Sequence, residues 1–589
     1  MDLLTSIIPP RAKTVVEFGG DTSKKFLAVQ PRAKYNIEKF FGKNQQVDCI
    51  FYHGDFFMQS LDKIEKQISE HVKYLRDDGQ IAICLDNPAY IDQILAQINN
   101  TSKPINAGLN TIIQILKRLN LNVYVQPVNS KQDQQRMQNE LESDFVKSLV
   151  KINSNQQIFF SQCFFIYATK TPHEKLVLQY LLGETYVTSR PRITEPGIFM
   201  KTVPNTLVLE YLPTDPPMHI FKERTAKFFI RQRCRYTEFK GPLHQLRMLL
   251  KAGYSMVTEQ DDWLSLWMDA YKETKFIDFI VAHGISTSTV WLEEQFKKLN
   301  SAVGLFENQI MELPEPRNYD AEDRANTKKE VTILYAALNR WKDCQEIIPA
   351  LNEIGAKYSN VKFHVAADEK FFQALTMENK FYLAHKDTGK LWIPYAFYLK
   401  AMRQADIILM PLSDNDFNFG KSDIKFIEAS SQGCATIASN TVYERTIVDG
   451  KTGFIYHNPE EFKTKLETLI TNPKKRREMA RNAYEYVKNE RMLADHYMDR
   501  INWFWDLYHR RLDLTIDVVR RLENNVPKQF LMDLHKDFPK LFSQNFMDSD
   551  EEEIIIAEDD SKLADKKSDV KNTKNGNTAL EYFSGGDDL

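Results

Sequence analysis

Between Asn418 and Tyr456 the chain reads NFGKSDIKFIEASSQGCATIASNTVYERTIVDGKTGFIY, a run whose punctuation leaves little freedom of fold. Gly420 loosens the backbone. Ser422 stands where a helix N-cap belongs, and Asp423 falls in the first turn, where the helix dipole favours a carboxylate. Ile424, Ile427 and Ala429 recur at helical spacing, Gly433 ends the helix, and CATIAS is short and apolar enough for a buried strand. Asp449-Gly450 and Thr452-Gly453 then mark a turn.

Chemistry follows from that order. A helix N-terminus offers unpaired N–H groups and a partial positive charge, so it attracts anions. Lys421 stands just before the terminus, and Lys421, Lys425 and Glu428 share one helical face. Two ammonium groups, free N–H groups and a carboxylate suit a diphosphate and the hydroxyls of a ribose. The same residues also suit a capped amphipathic helix with solvated lysines.

The block KSDIKFIEASSQGCATIASNTVYERTIVDGKTGFIY resembles the donor-binding half of group-1 glycosyltransferases with the GT-B fold. The resemblance implies that Glu428, the second Glu of that family's paired-glutamate motif, holds the nucleotide ribose. Gly420 occupies the place of the first Glu, which leaves open whether Lys421 or Asp423 takes over its role toward the sugar ring. Upstream, VTILYAALNRWKD resembles the family's first C-lobe strand and diphosphate loop, with Arg340 and Lys342 two residues apart rather than five. Guanidinium forks bind phosphate bidentately, so Arg340 is the stronger candidate. NVKFHVAAD, the helix around PYAFYLKAMRQA and the buried strand ADIILMPL complete an order that implies a doubly wound sheet over 326–510.

A chain of 589 residues has room for several domains, and the residues before this lobe divide into two more α/β units. In 1–170, AKTVVEFGG, AKYNIE, VDCIFYHG and GQIAICLDNP read as strands, and SLDKIEKQISEHVKYL as a helix. Glu17 ends the first strand, Gly19-Gly20 follow, and Glu38 ends the second, a spacing that fits a carboxylate on ribose hydroxyls. His53 and Asp55 are read either as lining the same crevice or, for a His beside a glycine, as structural. This unit resembles the class I S-adenosylmethionine methyltransferases, which implies cofactor contacts from Glu17, Gly19, Gly20 and Glu38. The loop FGGDTSKKF lacks the later glycine that lets a backbone approach the cofactor, so an active methyltransferase and a degenerate scaffolding domain both stay open.

HEKLVLQYLLGETY reads as a joining helix. In 171–325 the strand candidates are NTLVLEYL, AKFFIRQR, YSMVTEQ, FIVAHG and AVGLFENQ. Glu259, Asp261 and Asp262 cluster at a strand end, and His283 follows another; the loose likeness to the first GT-B lobe implies an acceptor-side role for them. Lys222, Arg224, Lys227, Arg231, Arg233 and Arg235 form a basic run, read either as a contact for an anionic substrate or membrane surface or as a solvated edge. Residues 511–546 read as amphipathic helices, and the acidic stretch 547–589 as disordered.

A net charge of −3 gives no sign of a nucleic-acid protein overall. Six scattered cysteines without a CxxC read as reduced, mostly buried thiols. No secretory signal and no apolar run of membrane-helix length is visible. Abundant Lys, Asn, Ile and Gln point to an AT-rich bacterial genome. The expectation is an α/β protein, a Rossmann-like methyltransferase-type domain followed by a two-lobe GT-B module. It would be cytoplasmic, with peripheral contact at the inner membrane face left open. Resemblance implies a retaining, metal-independent transfer from a UDP- or GDP-sugar to a glycan or lipid-linked acceptor in surface polysaccharide synthesis. The rivals are a scaffold with decayed nucleotide sites and a glycan methyltransferase. Donor sugar, linkage and oligomeric state are not readable.

Overall fold

In the computed structural model the described residues are 6–40, 42, 45–86, 108–128, 163–183, 188–212, 225–325, 329–337, 340–383 and 394–547. The polar stretch around 129–160, Lys222, Arg224 and the tail from Asp548 lie outside them.

Three six-stranded sheets succeed one another along the chain. The first holds β1 (Thr14–Phe18), β2 (Lys34–Ile37), β3 (Val47–Tyr52), β4 (Leu75–Asp86), β5 (Asn122–Val128) and β6 (Cys163–Thr169), in the order β2-β1-β3-β4-β6-β5. Its strands run parallel except β6, which is antiparallel to both neighbours. The second holds β7 (Lys175–Leu181), β8 (Thr206–Tyr211), β9 (Thr225–Gln232), β10 (Ser255–Glu259), β11 (Gly284–Thr287) and β12 (Val303–Leu305), all parallel, in the order β12-β11-β10-β9-β7-β8. The third holds β13 (Val331–Ala336), β14 (Val361–Ala366), β15 (Lys380–Leu383), β16 (Ile407–Met410), β17 (Ala435–Ser439) and β18 (Phe454–Tyr456), all parallel, in the order β15-β14-β13-β16-β17-β18. The near-continuous apolar runs of IILM and ATIAS are what a parallel strand covered on both faces needs.

Two stretches fold otherwise than their sequence suggests. KLVLQYL is β7, a central strand between β8 and β9 with its middle five residues buried, rather than a joining helix. Its Leu and Gln residues favour helix intrinsically, but pairing on both edges overrides that preference. In FIVAHG, Phe279 and Ile280 end the short helix Ile277–Ile280, and the strand begins only at Gly284.

The helix Leu493–His509 returns from the third sheet to pack on the second. Phe504, Leu507 and Tyr508 are buried in one core with Leu176, Leu178, Phe228 and Ile230, with Trp503 and Trp505 packed against it. Trp503 fits because β11 and β12 carry glycine beneath it: a Cβ at Gly304 would lie 2.7 Å from Trp503 Cε2. Val29, at the end of the helix Ser23–Val29 that follows β1, shares this core. Asp495 on the crossing helix pairs with Lys13 and Arg32, and Leu313 N–H donates to Ala28 C=O at 2.7 Å. The helices Arg511–Asn525 and Lys528–Asp537 follow, as the amphipathic pattern predicts. All six cysteines are free thiols, five of them buried.

Candidate functional site

Parallel α/β sheets bind ligands at the carboxyl ends of their strands, where the strand order reverses. In the third sheet that reversal lies between β13 and β16. The segment after β13 carries Arg340, and the segment after β16 carries Asn418, Gly420 and Lys421 before the helix Ile424–Ser431. In the second sheet the reversal lies between β7 and β9. Arg190 follows β7, and Arg233 follows β9.

The two switch points face each other and touch. Arg190 Nη2 donates to Glu428 Oε1 at 2.9 Å, and Lys421 Nζ to Asp262 Oδ1 at 2.6 Å. Asn308 Nδ2 donates to Ser422 Oγ at 2.7 Å. Gly420 passes so close to the second sheet's loop that a Cβ there would lie 2.8 Å from Trp263 Cβ. Any side chain at 420 would have to push the lobes apart, which accounts for the glycine.

Glu428 is buried on the helix Ile424–Ser431. Besides Arg190 it accepts from the Tyr398 hydroxyl at 3.2 Å. Burial pushes its carboxyl above the usual range, partly offset by Arg190. Arg190 in turn donates to Glu195 at 2.7 Å and lies 3.4 Å over the Tyr395 ring. Lys421 also stands over a ring, Phe417, at 4.1 Å. Burial lowers its ammonium, while Asp262 opposes that shift.

Lys425 differs from the rest. It is half-buried one position into the helix, and no hydrogen bond or ion pair to it occurs among the described residues. Desolvation and the positive charge of Arg340 push its pKa down to about 8, against smaller attractions from Glu428 and Asp343. Arg340 donates to Asp343 at 2.9 Å and to Asn418 Oδ1 at 2.8 Å. Asn418 is fixed by its own bonds to Asp343 and Ser413 C=O. Lys342 is exposed beside them.

The helix cap departs from expectation. Asp423, not Ser422, is the N-cap residue, and it makes no capping bond. Its carboxylate is taken by Arg491, at 2.6 and 2.9 Å, and by the Thr446 hydroxyl at 2.8 Å. Among the described residues no acceptor meets the N–H groups of Ile424 and Lys425, so the helix start keeps the free donors that attract an anion.

The acceptor-side candidates separate. Asp261 and Asp262 are held by Arg233, at 2.6 and 2.8 Å, on the cleft side. Glu259 is buried against Arg192 Nε at 2.7 Å and accepts from the Ser286 hydroxyl. His283 lies at the amino end of β11, away from the ligand end of the sheet. It is bonded to Met256 N–H and to the Thr515 hydroxyl at 3.1 Å, and burial lowers its pKa to about 4. The basic run is no surface patch over its described part. Arg231 is fully buried, Arg233 is paired, and Arg235 lies 3.9 Å over Trp267.

In the first sheet the reversal lies between β1 and β3, and there the crevice is filled from within. Glu17 is fully buried: His53 Nε2 lies 2.5 Å from Oε1, while Thr22 N–H and the Tyr35 hydroxyl donate to Oε2, each at 2.8 Å. A Cβ at Gly20 would fall 2.5 Å from the His53 ring, and one at Gly19 1.8 Å from His53 C=O. Both glycines thus serve the close approach of His53. Glu38 has a left-handed backbone, φ 52°, just past β2.

Residues 347–502 match the family described as "Glycosyl transferase-like". The matched segment covers the helices and strands from Ile347 through most of the crossing helix, Glu428 and Lys425 included. Among solved structures the chain is similar to Anabaena HepE in complex with UDP, at 11% identity, covering 56% of this chain and 100% of that one, TM-score 0.41. It is similar to sucrose-phosphate synthase from Thermosynechococcus elongatus, at 11% identity over 57% and 100%, TM-score 0.40. The C-terminal domain of a glycosyl transferase group 1 family protein from Francisella tularensis gives 21% identity over 30% and 94%, TM-score 0.23. No curated protein matches the sequence.

Sequence reasoning missed Arg190, Asn308, Asn418 and Arg491. The signal for Arg190 was present: SRPRITEP puts two arginines around a proline a few residues after the apolar run LVLQYLL. Reading that run as a helix hid the strand end that Arg190 follows.

Proposed function

We propose that this chain transfers a sugar from a UDP- or GDP-linked donor to a glycan or lipid-linked acceptor, between the second and third sheets. Lys425 is the observation that carries this reading. A half-buried ammonium, beside Arg340 and lacking a described partner, is disfavoured by desolvation and like charge unless an anion meets it. Lys421, Arg340 and the free amides of Ile424 and Lys425 surround the same point. As the bond from the anomeric carbon to the diphosphate oxygen breaks, negative charge gathers on the leaving diphosphate. Fixed cations and amides there stabilise that charge without reorganising. Glu428, oriented by Arg190 and Tyr398, accepts from the ribose hydroxyls. Retention of configuration is implied by family resemblance, as is the acceptor class.

A second reading, a binding or scaffold protein, is favoured by the ion pairs Arg190–Glu428 and Lys421–Asp262, which already satisfy two groups assigned to the donor. For the first domain the filled Glu17–His53 crevice favours a scaffolding role over methyl transfer.

Thermal unfolding of the full chain with UDP, GDP and S-adenosylmethionine tests these readings. At a hundredfold excess over Kd, a bound nucleotide adds about 2.7 kcal/mol. Stabilisation by UDP or GDP that Lys425→Ala weakens, with none from S-adenosylmethionine, is the expected result. No response to either nucleotide favours the scaffold, and a response to S-adenosylmethionine alone refutes both assignments.

A further inference from the structure

A polar cavity lies at the junction where the crossing helix Leu493–His509 meets the end of β12. Its volume is about 220 Å³, and its lining includes Phe306, Glu307, Gln309, His496, Asp499 and Arg500. It shares no residue with the donor-side set.

Arg500 decides its character. The residue is 6% exposed, and among the described residues its guanidinium makes no hydrogen bond and no ion pair. It rests over the face of Phe306 at 4.8 Å. Burial and the neighbouring Arg192 lower its pKa to about 10, so it stays charged at neutral pH. A guanidinium carries five N–H donors, and those of Arg500, unmet by protein, are open to the cavity. The neighbouring arginine shows the contrast: Arg192 spends its donors on Glu259, Asn308, Phe306 C=O and Thr287 C=O.

The rim of the cavity is of opposite sign. Glu307 and Asp499 are exposed carboxylates, and His496 lies 3.6 Å from Asp499. Gln309 Oε1 is occupied by Arg491 Nε at 3.3 Å, leaving its amide N–H₂ for a ligand. Two carboxylates against one guanidinium disfavour a phosphate or other polyanion. Donors on the floor, acceptors at the rim and an aromatic edge instead suit a ligand that both gives and takes hydrogen bonds at many points. The volume lies below the roughly 300 Å³ at which drug-sized pockets begin, which limits the occupant to about one ring.

We infer that this cavity is a binding site for one neutral sugar ring, with Arg500 donating to its hydroxyl oxygens and Glu307 and Asp499 accepting from its hydroxyls. The site is separate from the donor cleft and does not depend on the donor assignment.

Saturation-transfer NMR on the full chain with glucose, galactose and N-acetylglucosamine tests it, alongside calorimetry with inorganic phosphate. At least one sugar is expected to receive saturation, with affinity falling tenfold or more in Arg500→Met and in the conservative surface change Asp499→Asn. UDP affinity is expected to be the same in both variants as in the parent. The inference is overturned if none of the three sugars binds, if sugar binding survives both substitutions unchanged, or if phosphate binds in an Arg500-dependent way. Asp499→Asn keeps the test decisive should Arg500→Met unfold, because Asp499 is exposed and the change is isosteric.

Discussion

Lys425 shows how one residue can be legible in type and not in state. Its place one turn before Glu428 on the same face follows from helical spacing alone, but its lack of a partner depends on Arg340 and on the fold around it. With a folded pKa of about 8 against an ordinary 10.5, its burial penalty is present in full below pH 8. That penalty relaxes as pH rises toward 10.5, so this residue's contribution makes the unliganded chain more stable with rising pH. A bound diphosphate reverses the preference and holds the proton. UDP affinity should therefore fall above pH 8, approaching tenfold per pH unit, in calorimetric titrations between pH 7 and 9. Lys425→Met should bind more weakly and lose that slope; the same slope in the variant would assign the titration elsewhere. Asp423 teaches the converse. Its sequence position suggested a first-turn carboxylate or a sugar contact; it stands at the N-cap position, and its side chain is the counter-ion of Arg491, 68 positions away. No local pattern encodes such a pair.

At the level of the element, the helix Ile424–Ser431 was readable from its glycine stop and apolar spacing, while the clamp on its first turn was not. The Asp423–Arg491 pair is almost fully withdrawn from solvent, and removing one partner of such a pair typically costs about 3–5 kcal/mol. Asp423→Ala should lower the thermal midpoint markedly and Asp423→Asn less, whereas Lys342→Ala, at an exposed position, should leave it within error. Equal effects from the three would place the helix anchor somewhere else. KLVLQYL marks the limit of pattern reading. Its leucines and glutamine favour helix, yet these seven residues became a central strand because both edges found partners, and neither partner is visible within the window. In the first domain the glycine pair was legible as a close approach, but the approaching group proved to be His53.

For the whole molecule, the crossing helix joins all three sheets, and Asp495 is its tie to the first. Burial raises its carboxyl, yet Lys13, Arg32 and Gln30 outweigh that and hold it below the usual 3.8. Its contribution is therefore complete above pH 3.8 and is lost as pH falls through the lowered value. Asp495→Asn should cost about 1 kcal/mol at pH 7, since its partners are partly solvated, and nothing once the wild-type carboxyl is protonated. Urea midpoints at pH 7 and below pH 3 check this; a difference that persists in acid would show that packing, not charge, joins these parts.

What the residues settled unaided was local: alternating strands and helices, the glycine stops, the buried CATIAS strand and the lysine-flanked helix start. Each depends on neighbours a few positions apart, where backbone geometry and side-chain period act directly. Which charges would meet was decided only when the second and third sheets faced each other at their strand reversals. There Arg190 reached Glu428 across 238 positions and Asp262 reached Lys421 across 159. Pairing over such separations is set by sheet order and by the helix that closes the lobes, and it leaves no periodicity in the chain.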